Sequence, residues 1–210
     1  MNPSKPNIEQ QIKQAVVILK QGGLVAYPTD TVYGLGAVMT DIATVDRIFQ
    51  VKGRPKGMAL PVLLADPGQI EEIVTSVPPA LRLLADAFFP GALTIILPKS
   101  ITVPDIVTGG GKTVGFRIPD HPVPIALIRQ LGKPIVGTSA NLSGLNSALT
   151  AAEVTKQIGD KIDMVIDGGK CPGGVESTVV DLSGDKPLIR RQGAIPIEQL
   201  RTILPDIVIA

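Results

Sequence analysis

The sequence holds one cysteine, one histidine and no tryptophan among its 210 residues. Cys171 alone cannot close an internal disulfide, and with His121 as the only histidine there is no Cys/His cluster of the kind that holds zinc. Aromatic residues make up only 3%. The core must therefore be aliphatic, and the two tyrosines and four phenylalanines offer few platforms for stacking single-stranded bases. Neither sign of charge is in excess: Lys plus Arg number 20 and Asp plus Glu 19, which excludes a broad field drawing in nucleic acid or acidic membrane and leaves only local patches. No run approaches the ~18 apolar residues of a membrane span, and the opening "MNPSKPNIEQQIKQ" has no apolar stretch of the leader type. The expectation is a soluble, non-exported protein of the reducing cytoplasm, without a membrane partner.

What is present is globular: 44% hydrophobic and 19% charged residues in a length suited to one domain. Helical spacing of Ile8, Ile12, Ala15, Val16 and Leu19 predicts a helix over 7–20 with Asn7 as N-cap and Gly22-Gly23 as its stop. Further helices are expected from Asp41 to Lys52, over 69–74, 79–89, 123–131, 151–158 and 196–204. Strands are expected at "LVAYP", "ALPVLLAD", "ALTIILP", "TVGFRIP", "PIVGTSA", "DMVID", "STVVDL" and "LIRR", whereas "TDTVYGLGA" reads as a glycine-rich loop. Interleaved strands and helices without repeats predict an α/β fold, one twisted mixed sheet flanked by helices, in a single domain over 1–210.

Residues 108–119, "TGGGKTVGFRIP", imitate the end of a phosphate-binding P-loop. That motif needs its first glycine where Ile106 stands and a helix after Thr113, but the residues that follow read as a strand stopped by Pro119. Chemistry is better supplied by four loop segments, "PTDTVYGLG", "KGRPKG", "GTSANLSG" and "GGVESTVVD", joined by Thr113, Arg117 and the pair Arg190-Arg191. Hydroxyls, an amide and planar guanidinium forks are equipment for holding a small polar anion. No nucleophile–base pair is evident: His121, between prolines, reads as a turn residue and Cys171 as an incidental loop thiol. Catalysis by positioning and charge neutralisation is the expectation.

In this order, "YPTDTVYGLG", the K-x-R of "KGRP", "FFPGALTIIL", "GFRIPDHP", "TSANLSG", "ESTVVD" and "IRRQG" resemble the YrdC-like threonylcarbamoyl-AMP synthase family, over about residues 10–201. The resemblance implies a YrdC-like (RibB-like) fold in the short, single-domain form. It also implies an enzyme that takes L-threonine, bicarbonate or CO2, and ATP, and releases threonylcarbamoyl-AMP and pyrophosphate. The product would pass to a separate transferase complex that modifies adenosine 37 of tRNA. By matching positions, Lys52 and Arg54 would be catalytic and, with Arg191, would hold the ATP phosphates, Mg2+ accompanying them. Thr113, Asn141 and the loop from Ser147 to Thr150 would complete the nucleotide side. Arg117 would bind the threonine carboxylate, with Thr31, Tyr33, Ser139 and Ser177 lining the same pocket; no residue is expected to ligate a metal directly.

The chain departs from the family pattern after K-x-R, where Met58, Ala59 and Leu63 stand in place of a polar residue, a proline and a histidine that normally contributes to the threonine pocket. The alternative reading is accordingly a paralogue with altered substrate, or one that binds nucleotide, double-stranded RNA or tRNA through a local basic face.

Overall fold

The computed structural model describes residues 7–210; the opening six residues of the amino-terminal stretch examined for a leader lie outside them. Helix α1 (Ile8–Lys20) starts at a capping box, the Asn7 side chain accepting from the Gln10 N–H and the Gln10 side chain returning the bond. It leads into β1 (Val25–Tyr27) and β2 (Gly34–Val38), and α2 (Ile42–Lys52) is capped by Asp41 and ends at Gly53 in the left-handed region. The chain continues through β3 (Val62–Leu63), α3 (Ile70–Ile73), α4 (Pro79–Phe88), β4 (Leu93–Pro98), α5 (Asp105–Thr108) and β5 (Thr113–Arg117). The second half supplies α6 (Pro122–Leu131), β6 (Ile135–Ser139), α7 (Ala151–Ile158), β7 (Met164–Val165), β8 (Thr178–Asp181), β9 (Leu188–Arg191), α8 (Ile197–Ile203) and β10 (Val208–Ile209).

The ten strands form one mixed sheet in the order β10-β9-β8-β4-β5-β3-β6-β2-β1-β7. Alternation along the strands sorts side chains to two faces. Val62, Leu93, Ile95, Val114, Phe116 and Val136 face the larger apolar core, while Val25, Tyr27, Leu63 and Ile135 face a smaller one built with α1 and α6. That second layer covers the β1 end of the sheet. Arg117 pairs across from Leu63 in the parallel β3–β5 ladder and so lies on the same face, where the covered part gives way to a cavity. Among the described residues no helix is long and apolar enough to cross a membrane.

The α/β fold and most elements match the sequence expectation; the main correction is "TDTVYGLGA", which is not all loop. Its second half is β2, an interior strand paired antiparallel with both β1 and β6. The glycines serve packing rather than a turn. The Tyr27 ring lies flat across the strand, and a β-carbon at Gly34 would stand 2.8 Å from its Cε2, one at Gly36 2.8 Å from its Cε1. Helix α5 and strand β10 were not expected, being too short to show periodicity, and the expected 69–74 helix is a 3-10 turn at Pro67–Gln69 followed by the single turn of α3. Gly34→Ala should cost about 1–3 kcal/mol through this overpacking. A urea midpoint equal to wild type would contradict it.

Candidate functional site

The imitation P-loop resolves first. Helix α5 ends at Gly109 in the left-handed conformation and the chain runs through Gly110–Lys112 into β5, so no helix N-terminus faces the glycines. The segment's product is instead Arg117, placed at the far end of β5 and only 7% exposed. Its Nε donates to the Gly91 carbonyl (2.8 Å), one terminal nitrogen to Thr31 Oγ1 (3.0 Å) and the other to Asp30 Oδ1 (2.6 Å). These bonds engage three of the five guanidinium N–H groups, leaving one on each terminal nitrogen. Thr31 is itself fixed by Thr29, whose hydroxyl donates to the Val32 carbonyl and receives the Thr31 and Val32 N–H groups.

A cavity of 160 Å³ opens beside this guanidinium, lined also by Tyr27, Thr29, Thr31, Leu63, Gly137, Ser139 and, at the other side, Arg54, Thr94, Glu176, Ser177 and Arg191. At ~30 Å³ per water this is room for roughly five waters, the scale of a small amino acid; a nucleotide would have to extend beyond it. Ser177 and Thr94 share a hydroxyl–hydroxyl bond of 2.8 Å across β4 and β8. Arg191 wraps the end of β8, donating to the Ser177 carbonyl from two nitrogens (3.1 and 2.9 Å) and to its hydroxyl (3.2 Å), and it ion-pairs with Glu176. Arg54 donates to the Ala59 carbonyl (3.0 Å). Burial, and secondarily Arg191, lowers the Arg54 pKa, with Glu176 opposing.

Among the described residues only two buried side-chain polar atoms lack a partner, the Tyr27 hydroxyl and Arg54 Nε, and both belong to residues lining this cavity. Buried polar groups are ordinarily satisfied, which sets these two residues of the cavity apart. A larger cleft of 680 Å³ lies between α4 and α6, lined by Ile70, Leu81, Phe89 and Ile125, but no such orphaned atom belongs to it.

The structure thus gathers Thr31, Arg54, Arg117, Ser139, Ser177 and Arg191 at the cavity and leaves five expected residues outside its lining. Lys52 is 2% exposed, and its ammonium donates to the Ser139 carbonyl, the Asn141 carbonyl (2.7 Å) and Asn141 Oδ1 (3.4 Å). Burial, then the nearby Arg54, pulls its pKa down to about 8 against the opposing effect of Glu176. Asn141 spends its amide N–H groups on the Leu142 and Leu145 carbonyls. Tyr33 shares the parity of Leu35 and Ala37, so it faces the larger core and its hydroxyl donates to the Gly169 carbonyl (2.8 Å). Thr150 caps α7, accepting from the Glu153 N–H. Thr113 lies four residues along β5 from Arg117, on the same face but away from the cavity. Ser147 reaches the rim through Glu176 at 3.5 Å.

His121 is structural, its Nδ1 capping α6 by accepting from the Val123 N–H, and Cys171 is buried. Sequence reasoning did not single out Tyr27, Thr94 or the pairing of Asp30 with Arg117. No local signal marks Tyr27 or Thr94, because each sits in an apolar strand run.

The Sua5/YciO/YrdC family model, described as "Telomere recombination", matches residues 17–193. The chain belongs to the Sua5/YciO/YrdC family. Sequences named threonylcarbamoyl-AMP synthase from Pyrococcus abyssi and Bacillus subtilis are each 42% identical to it, over 95% of this chain and 58% of theirs. The solved structure of P. abyssi Sua5 complexed with L-threonine superposes with a TM-score of 0.94 at 42% identity, over 96% of this chain and 59% of that one. This Sua5/YciO/YrdC chain therefore spans about 58% of the length of the curated relatives it matches.

Proposed function

We propose that the chain is an L-threonylcarbamoyladenylate synthase, making threonylcarbamoyl-AMP and pyrophosphate from L-threonine, bicarbonate or CO2, and ATP, within one YrdC-like unit spanning about residues 10–201. The observation that carries this reading is the convergence of a buried, half-committed Arg117 and the two orphaned polar atoms on one small cavity, with Arg54 and Arg191 at its side. The relatives bearing that name, and the L-threonine in the P. abyssi Sua5 structure, support the same assignment.

In this reading Arg117 would take the amino-acid carboxylate with its remaining N–H groups, the Thr31 and Ser177 hydroxyls beside it. The amine, carboxylated by CO2 with loss of a proton, becomes a carbamate whose oxygen attacks the α-phosphorus of ATP. The bond to the bridging oxygen breaks and pyrophosphate leaves. Arg54 and Arg191 would neutralise the phosphates and the departing charge. Lys52, committed to three carbonyl oxygens, would act as a positioning residue that fixes the end of β6, where Ser139 enters the cavity. Asn141, Thr113 and Thr150 would serve the nucleotide only through the loops that hold them.

Mg2+ would arrive on the triphosphate, as the family resemblance implies. Glu176 is the carboxylate at the rim that could meet it. Transfer to a tRNA-modifying partner, which the family resemblance implies, would suit a mixed carbamic–phosphoric anhydride, an activated donor that water also consumes. The buried, unpaired Cys171 suits a reducing cytoplasm.

Purified protein with ATP, Mg2+ and bicarbonate should release pyrophosphate only when L-threonine is added. Release independent of any amino acid, or ATP binding without release, would contradict the assignment.

A further inference from the structure

The reading above gives Arg117 a carboxylate but says nothing of what reads the ligand's side chain. Tyr27 has the features required. It is fully buried, its hydroxyl has no partner, and it lines the same cavity as Arg117. Burial holds the phenol well above its usual range despite the opposing charge of Arg117, so it keeps its proton and remains a donor.

The surrounding sequence is arranged to carry this hydroxyl across the sheet. Gly34 and Gly36 on β2 leave room for the ring, and Gly137 on β6 leaves room for its tip: a β-carbon at Gly137 would stand 3.0 Å from the Tyr27 hydroxyl. The same point is 2.8 Å from Leu63 Cγ and 2.9 Å from its Cδ1. The hydroxyl and the isobutyl group thus meet above Gly137. In the sheet order β5-β3-β6, Arg117, Leu63 and Gly137 occupy three successive strands. A ligand held by Arg117 and reaching Tyr27 needs to span only the width of β3, on which Leu63 stands.

We propose that Tyr27 is a specificity-determining residue: its hydroxyl hydrogen-bonds the side-chain hydroxyl of a bound 2-amino-3-hydroxy acid, while Leu63 packs on that ligand's methyl group. The proposal rests on the reading that Arg117 holds an amino-acid carboxylate. It assigns both halves of a threonine side chain to named atoms, and it makes the leucine at 63 compatible with a hydroxylated substrate rather than opposed to it. A site that hydrogen-bonds a substrate hydroxyl discriminates against the analogue lacking it, because the protein group is then left buried and unpaired.

L-Valine, in which a methyl replaces the hydroxyl of L-threonine, is the matched probe. Calorimetric binding and pyrophosphate release would be measured with both amino acids for the wild type and Tyr27→Phe. The wild type should prefer threonine by about tenfold or more, and Tyr27→Phe should bring the two within about twofold by weakening threonine alone. Removing an unpartnered hydroxyl breaks no hydrogen bond, so the variant's ligand-free melting temperature should equal or exceed that of the wild type. A threonine preference that survives in Tyr27→Phe, a wild type that does not distinguish the two, or binding of neither would overturn the proposal. Threonine binding that depends on Tyr27 without pyrophosphate release would keep this role and refute the synthase. Threonine-dependent release with an unaltered preference in the variant would do the reverse.

Discussion

Arg117→Lys is expected to raise the threonine KM by at least two orders of magnitude while changing the ATP KM by no more than about threefold. A lysine keeps the positive charge beside Asp30 but has no fork: it cannot donate to Gly91, Thr31, Asp30 and a ligand carboxylate together. Loss of a bidentate, charge-assisted pair in a site this buried is worth about 3 kcal/mol, which is the hundredfold effect. Arg117→Ala should show the same asymmetry with an added loss of about 3–5 kcal/mol in stability, since Asp30 is then left largely buried and unpaired. Paired measurements of the two KM values check the assignment. Equal effects on threonine and ATP would remove Arg117 from the amino-acid side.

The second large effect is expected at Lys52. In Lys52→Met the carbonyls of Ser139 and Asn141 and the Asn141 side-chain oxygen lose their shared donor, at a cost of about 3 kcal/mol from buried acceptors left without a partner. The variant should also lose most of its pyrophosphate release, because Ser139 and its loop are no longer held at the cavity. A pH signature separates the lysine from a passive packing role. The folded-state pKa of about 8 lies below the 10.5 of an ordinary lysine, so between those values the unfolded chain binds more protons and stability contributed by this group rises with pH. Urea unfolding across pH 7.5–10.5 should show that rise in the wild type and its absence in Lys52→Met. Parallel curves would contradict the account of Lys52.

Several parts of this structure are written locally in the sequence. Asn7 and Asp41 announce their helices because a cap is a short-range device, and β5 is legible in "TVGFRIP" because Pro119 stops a run of β-type residues. Arg117 stands out there as a charge in an apolar strand. The rest of the cavity is long-range. Thr94 and Ser177 are 83 residues apart and Arg117 and Thr31 are 86 apart, brought together only by the sheet order. Tyr27 reads as one more core aromatic, and Gly34 and Gly36 as loop glycines, until the ring is seen to lie across them. A motif marks a position and not a direction, so the sequence alone does not show that the Lys52 ammonium turns inward to the end of β6. Tyr33 lies outside the cavity lining because its side chain shares the parity of Leu35 and Ala37, which face the larger core.

The central claim is that a carboxylated amino acid is joined to the nucleotide in this cavity, and isotope labelling tests it most directly. The protein would be incubated with ATP, Mg2+, L-threonine and 13C-bicarbonate, and the adenylate product examined by mass spectrometry and 13C NMR. The account predicts one 13C carbon per product molecule, in a carbonyl bound to the threonine nitrogen and to the phosphate oxygen of AMP, with one pyrophosphate released for each. An adenylate without the label, or AMP formed with no amino acid attached, would contradict it.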